Sequence, residues 1–223
     1  MTAETPAAET HTAETQAAET RPAETRTDGR TARAERTRAA IVNAHVALIN
    51  EGDLSPSGER IAERAGISLR TLWTNYKDME TLFKASGERI LADQLAMWTP
   101  VDPTLPLHRR IDAYCRQRAR LSQAIAPAAR AAAMREPVSP QLQRNRRKHI
   151  ARVVAEVEQL FAAELEMAGE SRAELTHAVV AASMFPAWSM FVDGLGLDAE
   201  AARAAMTRTV TSLFASALAA SAA

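Results

Sequence analysis

Arg70, Thr71, Trp73 and Asn75 bring a guanidinium, a hydroxyl, an indole N–H and a carboxamide into six consecutive residues. Groups of these kinds suit the reading of nucleic-acid edges. A guanidinium can donate a bidentate pair to O6 and N7 of guanine, a threonine can meet a thymine methyl or a phosphate, and a carboxamide can donate to a phosphate or read adenine. The indole adds a donor on a broad apolar face. With Ser57, Ser68 and Lys77 around them, these residues form a candidate DNA-binding set.

Other chemistry is poorly provided for. Cys115 is the single cysteine, so an internal disulfide is excluded and a reducing, cytoplasmic setting is the default. An α-helical enzyme using Cys115 as nucleophile, with His108 or His149 as base, would also need an orienting third group and an oxyanion hole, and no such pattern stands in the sequence. His108, His149 and His177 lie too far apart for a metal motif, and HExxH or CxxC spacing is absent. No metal, no cofactor and no enzymatic activity are expected. The nearly uncharged run from Ala178 to Val192 is shorter than the roughly 20 residues of a spanning helix and contains Pro186, so no membrane segment is expected.

The elements that must hold the candidate set are short helices. Ile41, Ala44, Leu48 and Ile49 recur at amphipathic spacing, and Gly52 stands at the stop. Ser57 caps a second helix through Arg64, with Ile61, Ala62 and Ala65 inside. Gly66 supplies a turn, Ser68 caps a third helix to about Asn75, and Asp78 caps a fourth whose apolar side holds Leu82, Phe83, Ile90 and Leu91. On the third helix Leu72 points inward and the polar set is left outside. A short helix, a glycine turn and a second short helix of this kind form a helix-turn-helix.

The run "IAERAGISLRTLWTNYKDMETL", preceded by Ser57 and an Arg-rich first helix, resembles the DNA-binding domain of the TetR family of transcriptional regulators. The resemblance covers roughly residues 35 to 83. It implies a homodimer that binds a double-stranded palindromic operator, with a divergent helical C-terminal domain that takes a small-molecule effector and dimerises through its last two helices. The family usually has Tyr at 73, His at 75 and a phosphate-binding Lys at 79, where this chain has Trp73, Asn75 and Met79; Lys77 is the alternative phosphate contact. Tyr76 is expected in the core. Arg33, Arg36 and Arg38 are open to phosphate contact or plain solvation.

Three regions follow. Residues 1–29 repeat Ala-Glu-Thr with a period of five and carry almost no large apolar side chain, so they are expected to form a disordered tail. Residues 30–83 form the DNA-binding domain and 84–223 the ligand-binding and dimerisation domain. In the latter, one helix is expected to end near Pro127, a long one to run from Gln141 to Ala168, and two more to span about 172–193 and 198–220. Strand periodicity is lacking throughout, so the chain reads as all-α.

The 27 basic and 27 acidic side chains cancel, which argues against a weakly specific or architectural DNA binder held by bulk charge. The cancellation hides an asymmetry: residues 106–154 hold 12 Lys or Arg against Asp112 and Glu136, while residues 155–223 hold 9 acids against three arginines. The basic stretch can be a solvated face, a partner for the acidic end, or a site for an anion. Tyr114, Arg118, His149, Met184, Phe185 and Trp188 are the candidate ligand residues, for an effector that is hydrophobic or anionic. The function expected is a ligand-released repressor.

Overall fold

The computed structural model describes Thr2 and residues 24–221, and they form an all-α protein; among the described residues there is no strand. Four helices come first: α1 (Glu24–Asn50), α2 (Gly58–Arg64), α3 (Leu69–Asn75) and α4 (Met79–Met97). Six follow: α5 (Leu107–Arg135), α6 (Pro140–Leu160), α7 (Ala162–Met167), α8 (Arg172–Ser183), α9 (Phe185–Ser189) and α10 (Ala199–Ser221). Helix α1 starts at Glu24, inside the segment read from the sequence as a tail. Residues 3–23 of that segment lie outside the described residues.

Two hydrophobic clusters organise the chain. The head packs Ile41, Leu48, Ile61, Leu72, Tyr76 and Leu82 from α1 to α4. The body packs Ile111, Tyr114, Val157, Phe161, Trp188 and Phe214 from α5, α6, α9 and α10 and the residue after α6. Helix α4 begins in the head core and then packs against α5 and α6, so it is the covalent and mechanical joint.

Two element boundaries differ from the sequence reading. Helix α5 passes straight through Pro127. An interior proline costs about 3 kcal/mol through its missing N–H and ring clash. Burial on both sides of it, from Ile111 and Tyr114 to Ala131, outweighs that cost. Conversely, the long helix expected from Gln141 to Ala168 breaks at Phe161, whose backbone leaves helical angles (φ −114°, ψ 27°). Its fully buried ring packs on Tyr114 at 5.7 Å and on Phe214 at 4.7 Å, and this wedge decides the break.

The helix expected over about 172–193 divides at Met184, ahead of Pro186. Met184 is extended, and Pro186 opens a new helix in whose first turn its missing N–H has no partner to lose. The chain bends 46° there, and no single helix among the described residues is long and apolar enough to cross a membrane.

The charge asymmetry closes partly on itself. Arg110, 7 % exposed, donates to the carbonyls of Leu105 and Leu160 at 2.8 Å and to Glu164 at 2.9 Å, so the start of α5 is pinned to the end of α6 and to α7. Arg130 meets Asp193 at 2.8 Å, and Arg203 meets Asp112 at 3.0 Å. Arg110 and Arg130 thus pair cations of the basic middle with acids of the C-terminal stretch, whereas Arg203–Asp112 runs the other way, between the minority charges of the two regions.

Candidate nucleic-acid interface and effector cavity

The helix-turn-helix is built by its caps. Ser57 Oγ accepts from the Arg60 amide at 3.4 Å, and Ser68 Oγ accepts from the Thr71 amide at 3.1 Å. Asp78 accepts from the Thr81 amide at 2.8 Å, while Thr81 Oγ1 accepts from the Asp78 amide at 3.2 Å, a reciprocal box that starts α4. Between α2 and α3, Gly66 takes φ +67°, a left-handed angle that suits glycine. Leu72 is wholly buried, and Tyr76 is 9 % exposed with its hydroxyl donating to the Arg38 carbonyl at 3.4 Å. Both stand in the core, as their spacing predicted.

The polar set of α3 divides in two. Arg70 is exposed, with no hydrogen bond or ion pair from its guanidinium among the described residues. Lys77 is also exposed, immediately before the Asp78 cap. Trp73 is 37 % exposed and its indole N–H has no partner among the described residues. Thr71 and Asn75 are already engaged: the Thr71 hydroxyl is 2.8 Å from Ser68 Oγ, and Asn75 Nδ2 donates to the Thr71 carbonyl at 2.9 Å. Asn75 therefore presents its oxygen more readily than its donors. Ser57 and Ser68 are committed to capping.

One contributor to this surface escaped the sequence reading. The Trp73 ring lies on the backbone of Gly58 in the first turn of α2, where an added Cβ would stand 2.5 Å from Cζ2. Gly58 thus seats the indole and fixes which edge faces outward. A glycine just inside a short capped helix was the available signal. Met79, where a cation was expected by resemblance, packs against the head core and lines the joint between head and body instead.

At that joint lies a partly open cavity of about 790 Å³, between α1 and α4 on one side and α5, α6 and α9 on the other. His149, Met184 and Phe185 line it, together with Ile49, Phe83 and Leu142. Tyr114, Arg118 and Trp188, proposed from sequence as ligand contacts, do not. Tyr114 and Trp188 belong to the body core, and the Tyr114 hydroxyl bonds to Ser183 Oγ at 2.7 Å. Arg118, 4 % exposed, donates to the Ser183 carbonyl at 3.3 Å and approaches Glu156 at 4.0 Å. An aromatic or basic residue on an amphipathic helix reads alike from sequence whether it faces a cavity or a core.

Two histidines line the cavity. His45, 3 % exposed, shares a 2.8 Å hydrogen bond with Ser86 and stacks near Phe83. Burial, with the charge of Arg135 adding to it, lowers its pKa to about 4. His149 is lowered to about 4 by burial and then by Arg118 and Arg152. Both imidazoles are neutral at pH 7.

Head and body are tied across the joint by polar contacts. Both carboxylate oxygens of Glu80 are used, accepting from Ser139 Oγ at 2.6 Å and from the Gln141 amide at 2.8 Å, so the first turn of α4 caps α6. Asn145 donates to the Phe83 carbonyl at 3.2 Å, and Gly87 leaves the space its side chain needs. Arg135 donates to Ser55 at 2.7 Å.

Among the described residues no His, Cys, Asp or Glu group could hold a metal ion. Burial pushes the Cys115 thiol up to about 12, far from the thiolate a nucleophile needs.

No family model matches the chain, and no curated protein matches it. Among solved structures, a transcriptional regulator from Rhodococcus sp. Rha1 is similar, with a TM-score of 0.61 at 18% identity. The likeness covers 82% of this chain and 96% of that one. The all-helical architecture of this chain is therefore one that a transcriptional regulator also adopts.

Proposed function

We propose that the chain is a sequence-specific DNA-binding transcriptional regulator of the TetR type. It acts in the cytoplasm as a homodimer on a palindromic operator and is released when a small molecule fills the cavity between head and body. The observation that carries this reading is α3: a two-turn helix, capped and turned by Ser68 and Gly66, that leaves the Arg70 guanidinium and the Trp73 indole N–H unpartnered in solvent. Donors without internal partners, on a rigid element of helix-turn-helix form, are what reading a major groove requires. Lys77 and the arginines of α1 supply phosphate contacts, which position the helix without reading sequence. The likeness to a regulator of the same architecture supports the reading.

Release works through the joint. An occupant wedged between α4 and α6 acts on the Glu80 cap and the Asn145 contact, and so on the angle at which α4 leaves the head. In a dimer, a small change in that angle moves two recognition helices away from successive major grooves roughly 34 Å apart. The outer faces of α8 and α10, with exposed Ala201, Ala204 and Ala215 on the latter, serve as the dimer surface.

The test is a DNA-binding assay on the upstream region of the chain's own gene against scrambled DNA of equal length across a salt series. Selective binding that persists as salt rises is the expected result. Equal affinity for both DNAs at every salt would sink the proposal.

A further inference from the structure

The cavity is apolar along most of its length and carries an excess of cations. Lys84, Arg130, Arg135, Arg146, Lys148 and Arg152 contribute to its lining. Against them stand only Glu88, Glu136 and Asp193, and two of these are already paired, Glu136 with Arg146 and Asp193 with Arg130. Arg135 is turned to Ser55.

Lys84 and Lys148 are exposed, and Arg152 is the partly buried cation of the set without an ion pair. It is half-buried, its Nη2 donates to His149 Nδ1 at 2.9 Å, and among the described residues it forms no salt bridge. Glu156, whose charge acts on it, is shared by Arg118 at 4.0 Å, Gln117 at 3.3 Å and Trp98 at 3.4 Å. One buried guanidinium, Arg118, and one half-buried guanidinium, Arg152, thus depend on a single carboxylate that has other partners. A cation held out of water without a matching anion is costly, and an anion arriving beside it relieves that cost. Because Nδ1 of the neutral His149 accepts from Arg152, the ring proton sits on Nε2. That proton leaves a donor on a ring that lines the cavity.

The geometry points to an amphipathic organic anion as the occupant: one carboxylate held by Arg152 and His149, with an apolar body running along α6 toward Phe83 and Ile49. Helix α6 rises about 16 Å from Gln141, at the head, to Arg152. The apolar body lies along that span, against Leu142, Ile90 and Phe83 on the way to the head. A volume of about 790 Å³ accommodates a small-molecule ligand of this shape. That the occupant acts as an effector rests on the proposed regulator; that it binds does not.

The experiment uses the full chain, with decanoate, decanol and decyltrimethylammonium as probes below their micelle concentrations, titrated by calorimetry. Decanoate is expected to bind about tenfold or more tighter than decanol, as a charge-assisted contact requires, with the ammonium weakest. Arg152→Gln should bring decanoate down to the level of decanol while leaving decanol unchanged, and Arg152→Lys should retain part of the preference. Equal binding of decanoate and decanol by the wild type, no binding of any probe, or an undiminished preference in Arg152→Gln would each overturn the proposal. Should Arg152→Gln fail to fold, the wild-type comparison and His149→Gln decide it. A DNA-release arm separates the two readings. Arg152-dependent binding of decanoate without release of DNA removes the regulatory role and leaves the anion site, whereas release by decanol as readily as by decanoate removes the site and leaves the regulator.

Discussion

The head and the body of this protein use arginine in opposite ways. Arg70 in the head stands in water without an ion-pair partner, while Arg110 in the body is 7 % exposed and fills its donors with two carbonyls and Glu164. A guanidinium in water costs the fold almost nothing to keep and remains able to bind a ligand. One out of water must be satisfied by the protein itself, and once satisfied it has no donor left to offer. The number of arginines in a region therefore says little about binding. What matters is how many of their donors the fold has already used, and on that scale Arg152 lies between the two.

The comparison can be broken most directly at Arg110. Arg110→Ala leaves Glu164 buried without its partner and should cost about 3 to 5 kcal/mol of stability, read from urea unfolding. A loss below about 1 kcal/mol would mean that the body does not depend on its buried pair. Next in size is a pH effect at the joint. His45 has a folded pKa of about 4 against a usual value near 6.5, so the unfolded chain takes up a proton that the folded chain refuses as pH falls between those values. Its contribution is complete above about pH 6.5 and is lost towards pH 4, on the order of 2 to 3 kcal/mol. The wild type should lose more stability than His45→Gln between pH 7 and 4.5; parallel losses would place the neutral imidazole outside the stability of the joint.

Arg70→Ala sharpens the contrast from the other side. Operator affinity should fall by about 1 to 3 kcal/mol and specificity should relax, with the unfolding midpoint unchanged. An altered midpoint with unchanged DNA binding would make Arg70 a structural residue like Arg110. The smallest effect is expected at Glu80. Glu80→Ala removes the acceptor of the Gln141 amide while the Ser139 cap of α6 remains, and should cost about 1 kcal/mol. It should also weaken the link between ligand occupancy and DNA release; intact coupling in this variant would move the signal to another contact.

Much of the head was legible in the sequence because its determinants are local. Ser57, Ser68 and Asp78 announce helix starts through hydrogen bonds to amides three residues on, and Gly66 announces the turn through its backbone angle. Leu72 and Tyr76 follow from helical period alone. Of the ligand residues expected from the sequence, His149, Met184 and Phe185 line the cavity, whereas Tyr114, Arg118 and Trp188 are buried in the body away from it. Helical period says that a residue faces inward. It does not say whether the space it faces is filled.

By itself, then, the sequence determined the all-helical class, the capped helix-turn-helix and the outward set on α3, since each follows from interactions within about four residues. The tertiary structure alone decided that α5 continues through Pro127, that α6 ends at Phe161, that Trp73 is seated on Gly58 and that Arg152 lacks a carboxylate of its own. Each of those depends on what distant segments bring against the residue, and packing of that kind outweighs any local preference of about 1 to 3 kcal/mol.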